Sequence, residues 1–172
     1  MEKLARLIRE KAYLEGDFIL RSGKHSSFYI DMKKALGDPE VLGLAADAII
    51  KAMPNADKVC GIEVGAVPVA AVVSVKSKIP MLIARKEKKG YGTDKLIEGD
   101  MKKGDRVVVI EDTTTTGGQI LKACESVESE GGTVVCVIVV VDREEGAREA
   151  IEGRGIRFLS LITLAQLRGM SD

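Results

Sequence analysis

From residue 40 onward the apolar positions follow two alternating rhythms. Pro39 to Met53 carries Val41, Leu42, Leu44, Ala45, Ala48 and Ile49 at helical spacing, with Asp38 placed to cap the helix ahead of the proline. Val59 to Ile62 is a short apolar run of strand type, Ala66 to Val75 an apolar helix, and Met81 to Ala84 a second strand. A charged, glycine-marked stretch from Arg85 to Gly99 intervenes and predicts a long loop. The alternation then resumes with strand Arg106 to Ile110, helix Gly118 to Glu130, a Gly-Gly turn and strand Thr133 to Val141. Helix Glu144 to about Ile151, strand Ile156 to Leu159 and a short helix near Ala165 close the chain. Strands that are apolar on both faces and separated by helices predict an α/β fold, a mostly parallel central sheet flanked by helices. Ahead of that pattern, Leu4, Leu7, Ile8 and Ala12 predict a first helix. Phe18 to Leu20 and Phe28 to Ile30 predict short strands around the turn RSGKHSS.

The informative interruption of the pattern is VVVIEDTTTTGG, Val107 to Gly118, where β-branched residues lead into two carboxylates, four threonines and two glycines. The sequence places the end of the strand at Ile110, where the polar block begins. Open α/β sheets bind ligands beyond the carboxyl ends of their strands. A glycine-bearing turn feeding a helix offers backbone N–H groups and a positive dipole end to a phosphate. Glu111 and Asp112, just before that turn, suit sugar hydroxyls or the surroundings of a divalent cation. The implied ligand is a sugar phosphate. An acidic pair followed by threonines also serves to cap a helix near Gly117 or Gly118, although one cap needs one such residue, not six. Neither the lysine of a P-loop nor a three-glycine dinucleotide fingerprint is present.

Composition narrows the classes further. A chain of 172 residues with 45% hydrophobic content suits one domain over residues 1–172, and no repeat, linker or low-complexity tract divides it. Lysine plus arginine total 26 against 26 acidic residues, so no global field argues for nucleic acid or an anionic membrane. With 3% aromatics the chain lacks stacking platforms for single-stranded nucleic acid. No apolar stretch approaches the ~20 residues of a membrane span, and the charged start MEKLARLIREK resembles an amphipathic helix more than a secretory signal. A cytoplasmic location is expected. Cys60, Cys124 and Cys136 are odd in number and widely spaced, which fits buried reduced thiols better than disulfides or a zinc site.

Arg85, Lys86, Lys88 and Lys89 precede Gly90, Tyr91, Gly92 and Thr93, putting four cations beside a flexible turn just past a strand end. Charge runs of this kind are commonly solvated surface. A structureless loop of about 12–15 residues in a compact domain is instead characteristic of a lid or binding loop, and this one leaves the same sheet edge as the threonine turn. Closing over a polyanion, it would stabilise a leaving pyrophosphate and exclude water. Arg143 has two readings of equal standing on sequence alone. It is either the first residue of a helix capped by Asp142 and Glu145, or a guanidinium fork for a ligand carboxylate. His25, the single histidine, is expected to be exposed, and Glu63 either binds a loop N–H or the metal region, or only terminates a strand.

The segment Val107 to Gly118 resembles the signature of the type I phosphoribosyltransferases, an apolar strand, two acids and a Thr/Gly turn that binds phosphoribosyl pyrophosphate (PRPP). FILRSGKHSSFYID at Phe18 to Asp31, RKEKKGYG at Arg85 to Gly92, LIEG at Leu96 to Gly99 and VDREEGA at Val141 to Ala147 are similar, in the same order, to the branch that uses orotate as acceptor. The resemblance spans nearly the whole chain and implies a small hood over the sheet, made by about residues 1–35 with C-terminal residues.

By position, the resemblance implies that Thr113, Thr114, Thr115, Thr116, Gly117 and Gly118 cradle the 5-phosphate and that Glu111 and Asp112 hold the ribose hydroxyls. It puts Arg85, Lys86, Lys89 and Tyr91 at the pyrophosphate and Gly61 to Val67 beneath it. It puts Thr115, Arg143, Arg21, Phe28 and Tyr29 at orotate. Lys89, Glu111 and Asp112 are the implied catalytic residues, and Lys89 would reach into the neighbouring site of a homodimer. Mg²⁺ would be held mainly through PRPP and water. Two positions depart from the bacterial pattern: Tyr91 stands where histidine is usual, and Gly65 near where a lysine is common. A phenol with a pKa of about 10 donates a hydrogen bond but supplies no cation at neutral pH. The alternatives are a purine or uracil phosphoribosyltransferase, and a regulatory module that senses PRPP without turnover.

Overall fold

In the computed structural model, which describes residues 1–19, 23, 25–87 and 95–170, the strand and helix rhythms become a six-stranded sheet with a hairpin set apart from it. The chain opens with α1 (Glu2–Ala12), the antiparallel hairpin β1 (Tyr13–Ile19) and β2 (His25–Ile30), and the short α2 (Met32–Leu36). There follow α3 (Pro39–Ala52), β3 (Lys58–Ile62), α4 (Val67–Ser77), β4 (Met81–Ala84) and the two-residue β5 (Ile97–Glu98). The remainder is β6 (Arg106–Thr114), α5 (Gly118–Ser129), β7 (Thr133–Asp142), α6 (Ala147–Glu152), β8 (Phe158–Thr163) and α7 (Leu164–Arg168). The sheet order is β5-β4-β3-β6-β7-β8, parallel throughout except where β5 runs antiparallel to β4.

The period-two alternation of β6 divides the core between the two faces of the sheet. Val108 and Ile110 join Val41, Ile49, Val73 and Ile138 on one side, while Val107 and Val109 join Ile120, Val127, Ile151 and Phe158 on the other. Each such side chain contributes about 1.5–3 kcal/mol by leaving water. Leu4 and Ile8 of α1 belong to the first of these clusters, together with Leu167 of α7, so the opening helix is anchored to the sheet layer. Cys60, Cys124 and Cys136 are free and buried, and burial pushes their thiols up to about 12, 12 and 11 respectively. Among the described residues no helix is long and apolar enough to cross a membrane.

Several boundaries differ from the sequence expectation. Strand β6 does not stop at Ile110 but continues through Glu111 and Asp112 to Thr114, because Thr113 and Thr114 are β-branched and pair with Val141 and Asp142 of β7. Strand β1 begins at Tyr13, before Phe18, because the hairpin ladder already joins Tyr13 to Ile30. Helix α6 starts at Ala147 instead of Glu144. The Asp142 carboxylate accepts the Glu144 N–H at 2.9 Å, and positive φ at Glu144 (60°) and Gly146 (103°) keeps the chain out of the helix until then. Strand β8 is shifted to Phe158–Thr163, and α2 and β5 are too short for periodicity to reveal.

Candidate functional site

Pairing between β3 and β6 ends at Gly61 and Ile110, whereas pairing between β6 and β7 runs on to Thr114 and Asp142. Chain β3 turns away through residues 63–66, so β6 from Glu111 outward borders a gap instead of a neighbouring strand. That gap is a cavity of about 650 Å³ at the carboxyl ends of the sheet. Glu63, Val64 and Gly65 line it on one side, Thr113 to Ile120 on the other, with Glu111 and Asp112 at its floor. A concavity of about 760 Å³ beside α1 lacks this convergence, since its Arg6 pairs with Glu2 and its Arg9 donates to the Leu167 carbonyl.

The two acids are held by their own strand. Asp112 N–H donates to Glu111 Oε1 at 3.1 Å, and Thr113 N–H donates to Asp112 Oδ1 at 2.7 Å. Both carboxylates are buried, and a Cβ built on Gly65 would overlap the Asp112 carboxylate, so this turn approaches as closely as it does only with glycine. Burial first, and then the like charge of Asp112, push the Glu111 carboxyl well above its ordinary 4.5. An acid whose folded pKa exceeds its unfolded one loses stability as pH rises past the unfolded value, with the full loss reached above the folded value. Glu111→Gln is therefore expected to be more stable than wild type at pH 7, with the gap closing as pH falls toward 4.5 and absent at a pH below 4.5. Urea midpoints of the ligand-free chains at the two pH values check this.

Beyond Thr114 the amides of Thr115, Thr116 and Gly117 donate to no protein acceptor among the described residues. Gly117 is the N-cap of α5 at φ 79°, and a Cβ there would meet the Ala147 backbone at 3.2 Å. No side chain caps α5. The threonines therefore do not serve as helix caps, and the turn keeps its donors and the dipole of a 12-residue helix for an anion. Thr113 Oγ1 is buried and has no hydrogen-bond partner.

The stretch from Arg85 is tied down at its start. Glu63 Oε1 accepts the Lys86 N–H at 2.7 Å, Glu63 Oε2 lies 4.0 Å from Arg85 Nη1, and Arg85 N–H donates to the Leu96 carbonyl at 2.8 Å. Glu63 thus binds a loop N–H, one of its sequence readings. Lys86 lines the cavity, while Arg85 lines an adjoining groove with Lys122. Lys88, Lys89, Gly90, Tyr91, Gly92 and Thr93, and also Arg21, lie outside the described residues.

Arg143 is not the first residue of a helix, because α6 starts four positions later. Its N–H donates to the Thr114 carbonyl, its guanidinium meets Glu145 Oε1 at 2.9 Å, and its centre lies 5.3 Å from the Phe28 ring. Arg143 Nε is buried with no partner. Phe28 also stacks on Tyr13 at 5.7 Å and carries Arg168 at 4.3 Å. Tyr29 projects to the opposite side of the hairpin, packs on Phe18 and is 43% exposed, so it is not brought together with Arg143. His25 is exposed and pairs with Asp17. Sequence reasoning missed Lys33 and Lys122, both of which line the cavity. Their signal is tertiary: nothing local marks one surface lysine above its neighbours.

A family model for the phosphoribosyl transferase domain matches residues 36–154. The orotate phosphoribosyltransferase of Methanopyrus kandleri is 48% identical over 172 residues, covering 99% of this chain and 93% of that protein. The crystal structure of orotate phosphoribosyltransferase from Aeropyrum pernix superposes with a TM-score of 0.86 at 40% identity, covering 95% of each chain. The Mycobacterium tuberculosis orotate phosphoribosyltransferase in complex with PRPP superposes with a TM-score of 0.82 at 35% identity, covering 96% of this chain and 97% of that one. The chain belongs to the phosphoribosyl transferase family. Within that family it falls among the orotate phosphoribosyltransferases.

Proposed function

We propose that the chain transfers the 5-phosphoribosyl group of PRPP to orotate, releasing pyrophosphate and giving orotidine 5′-monophosphate for pyrimidine synthesis. The observation that carries this is the free amide turn after β6, set beside a buried acidic pair in one cavity. The 5-phosphate sits on the turn at residues 115–118, and the ribose hydroxyls face Glu111 and Asp112. The diphosphate lies toward Glu63–Gly65 and Lys86. Breaking the anomeric C–O bond ahead of forming the C–N bond leaves positive charge on the ribose, which the acidic pair favours. Arg143 offers two parallel N–H donors to the orotate carboxylate. In this reading Lys89 is assigned to the departing diphosphate and Tyr91 to a hydrogen bond with it, as the family resemblance implies. Holding both reactants aligned supplies on the order of 7–11 kcal/mol of the barrier.

Magnesium fits this donor set. Among the described residues no group of three or more His, Cys, Asp or Glu is arranged to hold a metal by itself. The cavity nevertheless carries the carboxylate oxygens that suit this ion, in Glu63, Glu111 and Asp112. When bound through PRPP and water, the ion neutralises the leaving diphosphate. The reading is tested by pyrophosphate release with PRPP and Mg²⁺, using orotate, uracil, adenine, hypoxanthine, guanine and xanthine separately. Release with orotate alone supports it. Release with a purine or uracil alone reassigns the acceptor, and PRPP binding without release points to the regulatory module.

The proposed assembly is a homodimer acting in the cytoplasm. An apolar stripe of Val64, Pro68, Ala71, Val72 and Val75 runs along the outer face of α4 and its entry turn at helical spacing, with Val64 67% and Val75 68% exposed. A second copy seated there would cover the stripe, and the family resemblance assigns the partner's Lys89 to this site. Mixing Lys89→Ala with Asp112→Asn after dissociation is expected to recover about a quarter of wild-type turnover, because half of the dimers then hold one site with both residues intact. No recovery would mean that each chain completes its own site.

A further inference from the structure

The cavity has an imbalance of charge on its diphosphate side. Glu63, Glu111 and Asp112 line it, against Lys86 from the basic stretch and Lys122 of α5. Glu63 is already engaged by the Lys86 N–H and lies near Arg85. The turn between them cannot supply a cation of its own, because any side chain at Gly65 would occupy the position of the Asp112 carboxylate. A diphosphate entering here meets more carboxylate than ammonium from the sheet layer.

Lys33 answers that deficit from the hood. Among the described residues it is the one hood residue that lines the cavity. The lysines of α1 are spoken for: Lys3 pairs with Glu40 at 2.6 Å and Lys11 with Asp38 at 2.9 Å. Lys33 is exposed, and no acidic side chain among the described residues pairs with it. Its placement is fixed from both directions. Asp31 Oδ1 accepts the Lys34 N–H at 3.2 Å at the start of α2, and Met32, Ala35 and Leu36 bury the other face of that turn. Because the backbone of that turn is already seated, an ammonium reaching an anion there gives up only its side-chain rotamer freedom.

We propose that Lys33 binds the diphosphate of PRPP from the hood side, as a substrate-binding residue for the reaction proposed above, on which this inference rests. Lys33→Ala is expected to raise the KM for PRPP on the order of tenfold, and to weaken product inhibition by pyrophosphate in parallel. The KM for orotate should change by less than about twofold. Lys33→Arg should restore most of the loss, since a guanidinium keeps the charge and the donors. Lys34→Ala, one residue along the same turn and outside the cavity, serves as control and should behave as wild type. The Lys33→Ala penalty should shrink at high salt, which a purely structural defect would not show.

Unchanged KM for PRPP in Lys33→Ala would overturn the assignment, as would an equal effect of Lys34→Ala. A raised KM with unaltered pyrophosphate inhibition would overturn it too, by moving the contact to another part of the donor. Calorimetric titration of PRPP into wild type, Lys33→Ala and Lys34→Ala reads the same contact without turnover. Failure of wild type to use orotate therefore sinks the catalytic reading while leaving the Lys33 test intact.

Discussion

Asp112→Asn is expected to reduce kcat by about two to three orders of magnitude, the size of loss seen when one preorganised electrostatic group is removed from a transition state. Asparagine keeps the shape of the side chain and an oxygen to accept the Thr113 N–H, now at 2.7 Å from Asp112 Oδ1. It leaves the Gly65 turn in contact. What disappears is the negative charge facing a ribose that becomes cationic as the diphosphate departs. The KM for PRPP should move far less than kcat, because the free amides of residues 115–117, the proposed 5-phosphate donors, are left unchanged. The substitution also relieves Glu111 of its like-charged neighbour, so the remaining carboxyl titrates closer to its ordinary range. Steady-state kinetics with each substrate varied in turn gives both constants. A fall confined to the KM for orotate would remove the acidic pair from the ribose.

Arg143→Ala should raise the KM for orotate by about two orders of magnitude and leave PRPP affinity within about twofold. Two charge-assisted hydrogen bonds at about 1.5–3 kcal/mol each, less the cost of desolvating the guanidinium, account for that range. The free chain already holds the fork in place, through Glu145 at 2.9 Å and the Phe28 ring at 5.3 Å, while Nε stays buried without a partner. Arg143→Lys should recover only a minor part, because an ammonium is a point charge and cannot present two parallel donors to a carboxylate. Fluorescence or calorimetric titration with PRPP separates the two halves of the result. If PRPP and orotate weaken together, Arg143 supports the cavity as a whole and does not select the acceptor.

The long periodic segments were legible from the chain, since each of β3, β4, β6 and β7 satisfies its pattern by burying side chains on both faces of the sheet. Boundaries set by side chain to backbone contacts were not. The Asp142 turn that delays α6 rests on one carboxylate accepting a backbone N–H two residues on, and the β7 pairing that carries β6 through its acidic pair depends on a partner distant in sequence. The same holds for the site. Glu111 to Gly118 declared themselves because strand, acids, threonines and glycines follow one another within a dozen positions. Lys33 and Lys122 did not, because their places at the cavity arise only when two helices distant in sequence fold over the same gap. Phe28 and Tyr29 are adjacent in sequence, yet strand alternation sends them to opposite sides.

The segment shared with the wider family, residues 36–154, holds the strand, acids and threonine turn, whereas Phe28 and Arg168 lie outside it at the two ends of the chain. On the proposed function, donor handling is the inherited property, while Phe28 of the acceptor surface is carried by a contact between the two ends of the chain and meets Arg143 from within the shared segment. On that reading a change of acceptor calls for edits both at the hairpin and at one position inside the shared segment, leaving the acidic pair and the threonine turn as they are.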